Sequence, residues 1–457
     1  MSEASRSFAT AQVQAGYVAG AAQNTAVPPI YQSNAFEFAS LSEARDLFAL
    51  RRDGNIYSRA ANPTVLVLEE RVAALDDGVA AAAVASGQAA VAVALLALAK
   101  RGEHIVAARQ LYGGTVDLLQ DTFADWGIEV TFVDQDDAGA WAAAVRPTTR
   151  ALFAESVTNP NAQVLDVRAV AAVAREAGVP LVVDHTVATP YLQRVKDHGA
   201  DIVVHSATKF LGGHGTSLGG VVVDLGTFDF TREPDRWPQL TQAYPRAPGG
   251  SLVERFGTTG SAFIALVKTK YVHDLGPSLP AFNAFQLLQG LETLDLRMAR
   301  HSASAQAVAQ FLERHPAVAR VNHPGLPSSP WHDLAHRYLP RGAASVFSFD
   351  LHPGSDDADD FARVEAAIAR LRVVRLVANI GDARSLIAHP ASMTHSHLSP
   401  AQRAEAGISS TTIRLSIGLE DPADVIADLE GALAPLAPLA DTAPRRSSRA
   451  PGATLEA

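Results

Sequence analysis

Between residues 104 and 224 short, almost wholly apolar runs alternate with Ala-rich stretches of helical period. HIVAA, EVTFVD, ALFAES, PLVVD, DIVVH and GGVVVD are β-rich and lack the apolar–polar alternation of a strand with one wet face. They read as strands buried on both faces. VRAVAAVAREAG, lying between two of them, reads as a helix. Such alternation predicts an α/β fold, a mostly parallel sheet with helices on both faces and ligands at the carboxyl ends of its strands.

The texture differs at the two ends. Residues 1–62 carry turn signals (NTAVPPIYQS) and one polar helical segment, SLSEARDLFALRRDG, and read as an arm with little core of its own. Residues 63–260 hold the alternating pattern. From 261 to 435 the chain reads as a smaller α+β domain. A long, broken helix over FNAFQLLQGLETLDLRMARHSASAQAVAQFLERHP leads to strands at SVFSFDL and TTIRLSIG, with the helix RVEAAIARL between them. Residues 436–457, rich in Ala, Pro, Ser and Arg, are expected to be a disordered tail.

Composition narrows the function classes. The chain has 457 residues, enough for two cores, and its 38 Lys+Arg against 48 Asp+Glu give a formal charge of -10. That balance disfavours nucleic acid as a main partner. No cysteine is present, so disulfides, thiolate nucleophiles and Cys-ligated metals are excluded together. The start, MSEASRSFATAQVQAG, lacks a signal-peptide core, and VAVALLALAK is too short to span a bilayer. The expected location is cytoplasmic, with no membrane partner.

Candidate chemistry lies at strand ends. HSATKF follows DIVVH, so Ser206, Thr208 and Lys209 stand at a strand's carboxyl end. A lysine there can form a Schiff base, and hydroxyls beside it can hold a phosphate. Asp184 ends PLVVD, where a carboxylate can pair with a protonated pyridine nitrogen. Ser86, Gly87 and Gln88 open a strong helical pattern, and free N–H groups at a helix start suit a phosphate. Tyr112, in QLYGGT after HIVAA, can stack on a ring. Each alone also has a plainer reading: a solvated lysine, a capped turn, a Ser N-cap, a turn tyrosine. Together they make a lysine, a ring-nitrogen acid, a phosphate cradle and a stacking aromatic at junctions of one sheet. That combination predicts a pyridoxal-5′-phosphate (PLP) enzyme whose cofactor lysine is Lys209.

From about residue 10 to 435 the chain also resembles the Cys/Met-metabolism PLP enzymes, on NIYSRAANPT, ASGQAA, LYGGT, ESVTNP, VVDHT, HSATKFLGGHG and TTIRLSIGLEDP. The resemblance implies an aspartate-aminotransferase-like (fold type I) large domain with a mostly parallel seven-stranded sheet, plus the smaller C-terminal domain. It implies Lys209 as Schiff-base lysine and proton shuttle, with Tyr112 and Tyr57 as assisting groups. Asp184 would hold the pyridine nitrogen, and Ser86, Gly87, Gln88, Ser206 and Thr208 the phosphate. Tyr57 and Arg59 would reach the phosphate of a neighbouring subunit, in a homodimer within a tetramer. Arg414 would grip the substrate α-carboxylate, with Asn379 near it and Asn159 near the cofactor. One departure stands out: the family usually has Asn after the pyridine aspartate, and this chain has His185. It bears on local packing or ring tuning.

Within that family the likeness is to the O-acetylhomoserine sulfhydrylase branch, on GNIYSRAANPTVLVLEER, FNAFQLLQGLETLDLRM, VNHPGLPSSPWHDLAHRYLP, LVANIGDARSLIAHPASMTH and an insert from about residue 224 to 255. It implies γ-replacement on an amino-acid ester by sulfide or a thiol. A γ-eliminating lyase of the methionine or cystathionine γ-lyase type, or an O-succinylhomoserine sulfhydrylase, shares these residues and stays open. Gly113 after Tyr112, where the lyase often has a cysteine, leans toward replacement. A PLP-binding protein without turnover is disfavoured by the presence of Lys209, Asp184 and Arg414. His332 and His336 mimic a zinc motif, but Asp333 stands where that motif has Glu, and no third ligand is evident. His395 and His397 form a lone HxH, so no metal is expected.

Overall fold

The computed structural model describes residues 6–246, 249–396 and 399–436. The expected tail beyond residue 436, and His397, lie outside the described residues.

Seven strands form one sheet: β1 (Ala80–Val84), β2 (His104–Ala108), β3 (Glu129–Val133), β4 (Thr149–Glu155), β5 (Leu181–Asp184), β6 (Ile202–His205) and β7 (Gly220–Asp224). Their spatial order is β1-β7-β6-β5-β4-β2-β3. From β3 through β2, β4 and β5 to β6 every pairing is parallel. Only β7 runs antiparallel, to β6 on one side and β1 on the other. The sheet is therefore the mostly parallel seven-stranded one expected. Helix Val167–Ala177 makes the crossover between β4 and β5, as a parallel pair requires.

The Val-rich runs of β5, β6 and β7 are buried, as doubly covered strands must be. EVTFVD differs from the expectation. Strand β3 lies at the sheet edge, with Glu129 exposed and Val130, Thr131 and Phe132 only partly covered. Strand β1, AAAAV, had no strand signal at all, since alanine favours helix. Its pairing with β7 along the whole register overrides that preference.

A second sheet contains β8 (Val318–Asn322), β9 (Val346–Leu351), β10 (Arg375–Leu376), β11 (Leu386–Ala388) and β12 (Thr412–Ser416), in the order β10-β11-β12-β9-β8. SVFSFDL and TTIRLSIG supply β9 and β12, antiparallel neighbours, and the expected helix between them is Asp357–Ile368. The insert near residues 224–255 caps helix ends. Arg236 donates to the carbonyls of Ala177 and Gly178, and Gln239 to that of Ala97.

The long helix is broken, into Ala281–Leu291 and Leu294–Glu313. The break places a clasp on the turn after β6. A Cβ on Gly290 would stand 2.2 Å from the Gly212 carbonyl oxygen, so no side chain fits between helix and turn. Arg297 donates to the carbonyls of Phe210 (2.7 Å), Leu211 (3.2 Å) and Gly290 (2.6 Å), and its Nε to Thr293 Oγ1. Burial lowers its pKa only to about 10, so it stays charged. A buried guanidinium thus fixes the turn that carries Lys209. Among the described residues no helix is long and apolar enough to cross a membrane.

Candidate active site

The chain's lysines are Lys100, Lys196, Lys209, Lys268 and Lys270. Lys268 is paired with Glu69, Lys196 donates to the Asp77 carbonyl, and Lys270 lies over the Tyr271 ring. Lys209, in the turn after β6, extends its Nζ to Asn379 Oδ1 at 2.6 Å. The Asn379 carbonyl in turn accepts from Arg414 Nη2 at 2.9 Å. Arg414 is 3% exposed on β12, so the second sheet delivers a cation to the lysine's side of the first. Burial first, then the Arg414 charge, hold the Lys209 amine down to about 8. Arg414 itself falls to about 10, by burial, and remains charged. Its buried Nε has no acceptor among the described residues.

Asp184 and Glu155 close β5 and β4 as register partners. Asp184 Oδ1 accepts from Thr186 N–H at 3.0 Å, and burial raises its pKa. His185 turns the other way. Its Nε2–H donates to the Gln193 carbonyl at 3.1 Å and its Nδ1 accepts from Ser156 Oγ at 2.8 Å. Burial lowers its pKa to about 4, so the ring is neutral and both nitrogens are satisfied. The departure at this position is absorbed as packing: His185 bonds β4 and the Gln193 turn together behind Asp184.

Helix Gly87–Leu98 begins beside the same strand ends. Ser86 caps it, accepting from Ala89 N–H at 3.1 Å. A Cβ on Gly87 would meet Ser206 Cβ at 2.5 Å, so only glycine lets this helix start touch the turn after β6. The Gln88 side chain is engaged elsewhere, donating to the Gly114 carbonyl at 2.7 Å and so joining the helix start to the Tyr112 turn. The Thr208 hydroxyl accepts from Gly219 N–H at 3.0 Å. Tyr112 is 42% exposed, its ring over Gly114, where a Cβ would come within 2.7 Å. The Asn159 backbone N–H donates to Glu155 at 3.2 Å, and its buried Oδ1 has no partner among the described residues.

Tyr57 and Arg59 lie apart from this cluster. They line a cavity of about 1600 Å³ between the arm and helix Pro63–Leu75, one that Lys209, Asp184 and Arg414 do not line. Arg59 reaches the His273 carbonyl at 2.5 Å and stacks over the Tyr57 ring. His332 and His336 meet edge to face, 4.5 Å between centroids.

The cluster fits PLP carrying an amino acid. Arg414 Nε is a buried donor in want of an anion, Gly87 opens a close-walled cradle, and Asp184 is a half-buried acid with one oxygen committed to Thr186. Two residues of the cluster carry no role in the sequence reading, Glu155 and Arg297. Glu155 ends an apolar run just as Asp184 does, and the same signal could have found it. Arg297 sits in an ordinary helical pattern and gives no signal.

Comparisons with known proteins agree. The family model for Cys/Met metabolism PLP-dependent enzymes matches residues 9–434. An O-acetyl-L-homoserine sulfhydrylase of Leptospira meyeri is 46% identical over 412 residues, 89% of this chain and 91% of its own. A homocysteine synthase of Schizosaccharomyces pombe is 42% identical, covering 94% and 98%. Among solved structures, a candidate O-acetylhomoserine (thiol)-lyase of Campylobacter jejuni matches at TM-score 0.87 and 36% identity, over 94% of this chain and 100% of its own. That structure contains N′-pyridoxyl-lysine-5′-monophosphate.

The depressed amine is measurable. In cofactor-free protein, acylation of Lys209 followed by peptide mass spectrometry should titrate with a midpoint near pH 8. Arg414→Met should move that midpoint upward, toward the ordinary lysine range; an unchanged midpoint would remove Arg414 as a cause.

Proposed function

The chain belongs to the Cys/Met metabolism PLP-dependent enzyme family, and from that premise we propose that it exchanges the γ-acetoxy group of O-acetyl-L-homoserine for sulfide or a thiol. The products are homocysteine or methionine plus acetate. The carrying observation is the Lys209–Asn379–Arg414 array, anchored on the buried Arg414, in a chain that matches sulfhydrylases over nearly its whole length.

Bound PLP supplies an electron sink that stabilises negative charge at the substrate α-carbon. The protein's own groups do the rest in this reading. Arg414 receives the α-carboxylate through Nε and an Nη, a two-pronged bond that fixes which α-substituent faces Lys209. Lys209 Nζ, at about 8, is neutral in a useful fraction near neutral pH. It therefore takes the α-proton and later returns one, at positions its flexible stem can reach. Asn379 aims the amine by accepting from it. Asp184 holds the ring nitrogen, Tyr112 stacks on the ring, and Asn159 stands at its edge. Ser86, Gly87, Gln88, Ser206 and Thr208 hold the phosphate, Gln88 through its backbone. Acetate leaves from Cγ, and the sulfur nucleophile forms the new C–S bond there and loses its proton.

The same reading makes residues 1–62 an arm reaching a neighbouring subunit, residues 63–260 the cofactor-binding unit and residues 261–435 the smaller domain. Tyr57 and Arg59 then serve the partner's phosphate, which accounts for their place on a wide cavity away from Lys209. The assembly is a homodimer of shared sites, paired into a tetramer, and its location is the cytoplasm.

A product assay with O-acetyl-L-homoserine tests the reaction. Homocysteine and acetate should appear only when sulfide is added. Release of 2-oxobutyrate and ammonia at the same rate without sulfide would put a lyase in its place. Mixing tests the shared site: Arg59→Ala and Lys209→Ala protomers, each inactive alone, should reassort to recover roughly a quarter of the wild-type activity, since each hybrid dimer has one intact site. No recovery after exchange would confine Arg59 to its own chain.

A further inference from the structure

Glu155 is 5% exposed, at the carboxyl end of β4, and its register partner on β5 is Asp184. Among the described residues no cation is bonded to it. Oε1 accepts from Tyr112 N–H at 2.5 Å, and Oε2 accepts from Asn159 N–H at 3.2 Å. One carboxyl thus ties the turn after β2 to the turn after β4. Tyr112 and Asn159 are the residues placed over and beside the cofactor ring.

Two carboxyls side by side under burial do not both ionise. Burial, then the charge of Asp184, push Glu155 up to about 8. Asp184 is raised by burial but eased downward by its bonds to Thr186 and by His205 across the sheet. Besides Asp184, the groups facing Glu155 are the two backbone N–H donors. A cationic ring nitrogen at Asp184 favours the ionised form of that carboxyl, and its charge then keeps the proton on its neighbour.

We infer that Glu155 is a positioning residue, protonated at neutral pH, that holds the Tyr112 and Asn159 turns in place and leaves Asp184 as the single negative charge for the ring nitrogen. The inference rests on the reading of Asp184 as the ring-nitrogen acid. A second negative charge at Glu155 would put two anions against one cationic nitrogen. A neutral carboxyl keeps the hydrogen bonds without that charge.

The infrared spectrum of the PLP-loaded protein gives a direct test. At pH 7 it should contain the carbonyl stretch of a protonated, buried carboxyl. The part of the band due to Glu155 should fade as pH rises through about 8 and be missing in Glu155→Gln. A wild-type spectrum without the band, or a wild-type minus Glu155→Gln difference without it, overturns the inference, the first without relying on any variant; the buried Asp224, raised to about 7, contributes equally to both proteins and cancels in the difference. Cofactor affinity separates positioning from space-filling. It should fall about tenfold in Glu155→Gln, which keeps one acceptor, and about a hundredfold in Glu155→Ala, which keeps none. Equal losses in both would make the carboxyl a mere filler. Asp184→Asn is the separate control: undiminished PLP affinity there would defeat the ring-nitrogen reading, while the carboxyl band still judges Glu155.

Discussion

Burial of the Lys209 amine beside a guanidinium that stays charged at neutral pH is the constraint from which the rest of the site follows. Arg414 is buried on β12 of the second sheet and keeps its charge, so the neighbouring amine gives up its own more readily. That works only if the lysine turn cannot swing out to water. Arg297 prevents it by holding the carbonyls of Phe210 and Leu211, and Gly290 allows the helix close enough to do so. Burial sorts the other titratable groups by the same rule. His185 is neutral, Glu155 keeps a proton past neutrality, and Asp184 is left as the acid that a cationic ring nitrogen would draw into its charged form.

The two sheets divide the work. The first brings strand ends together, so Asp184, Glu155 and the Lys209 turn come from adjacent strands β5, β4 and β6. The second contributes one residue through a long reach of chain, Arg414 on β12, with Asn379 bridging it to the lysine. Relative placement of the sheets therefore sets both the lysine's acidity and the anchor for a substrate carboxylate. This is why a helix–turn clasp far from any reacting atom matters to the chemistry.

Much of this was legible in the sequence because the informative residues break an apolar pattern. Asp184 and Lys209 stand out at the ends of Val-rich runs that have no other reason to carry charge. Glu155 breaks its run in the same way, yet its role depends on which strand lies beside it, and spacing along the chain does not carry strand order. Strand β1 is all alanine until Val84 and becomes a strand only through pairing with β7. Strands β10 and β11 are too short for any period to show. Arg297 looks like a surface helix residue until the turn it clasps is in place. His185 left packing and ring tuning both open in the sequence, and its side chain takes the packing side, bonding Ser156 beside β4, a direction set by the alternation of side chains past Asp184.

The chemistry turns on a single lysine among Lys100, Lys196, Lys209, Lys268 and Lys270. Borohydride reduction of the PLP-loaded protein, followed by proteolysis and mass mapping, identifies the amine that holds the cofactor. The pyridoxyl group should be found on Lys209 alone, at one per chain. Label on any of the other four lysines, or a cofactor that reduction fails to fix to the chain, would contradict the account at its base.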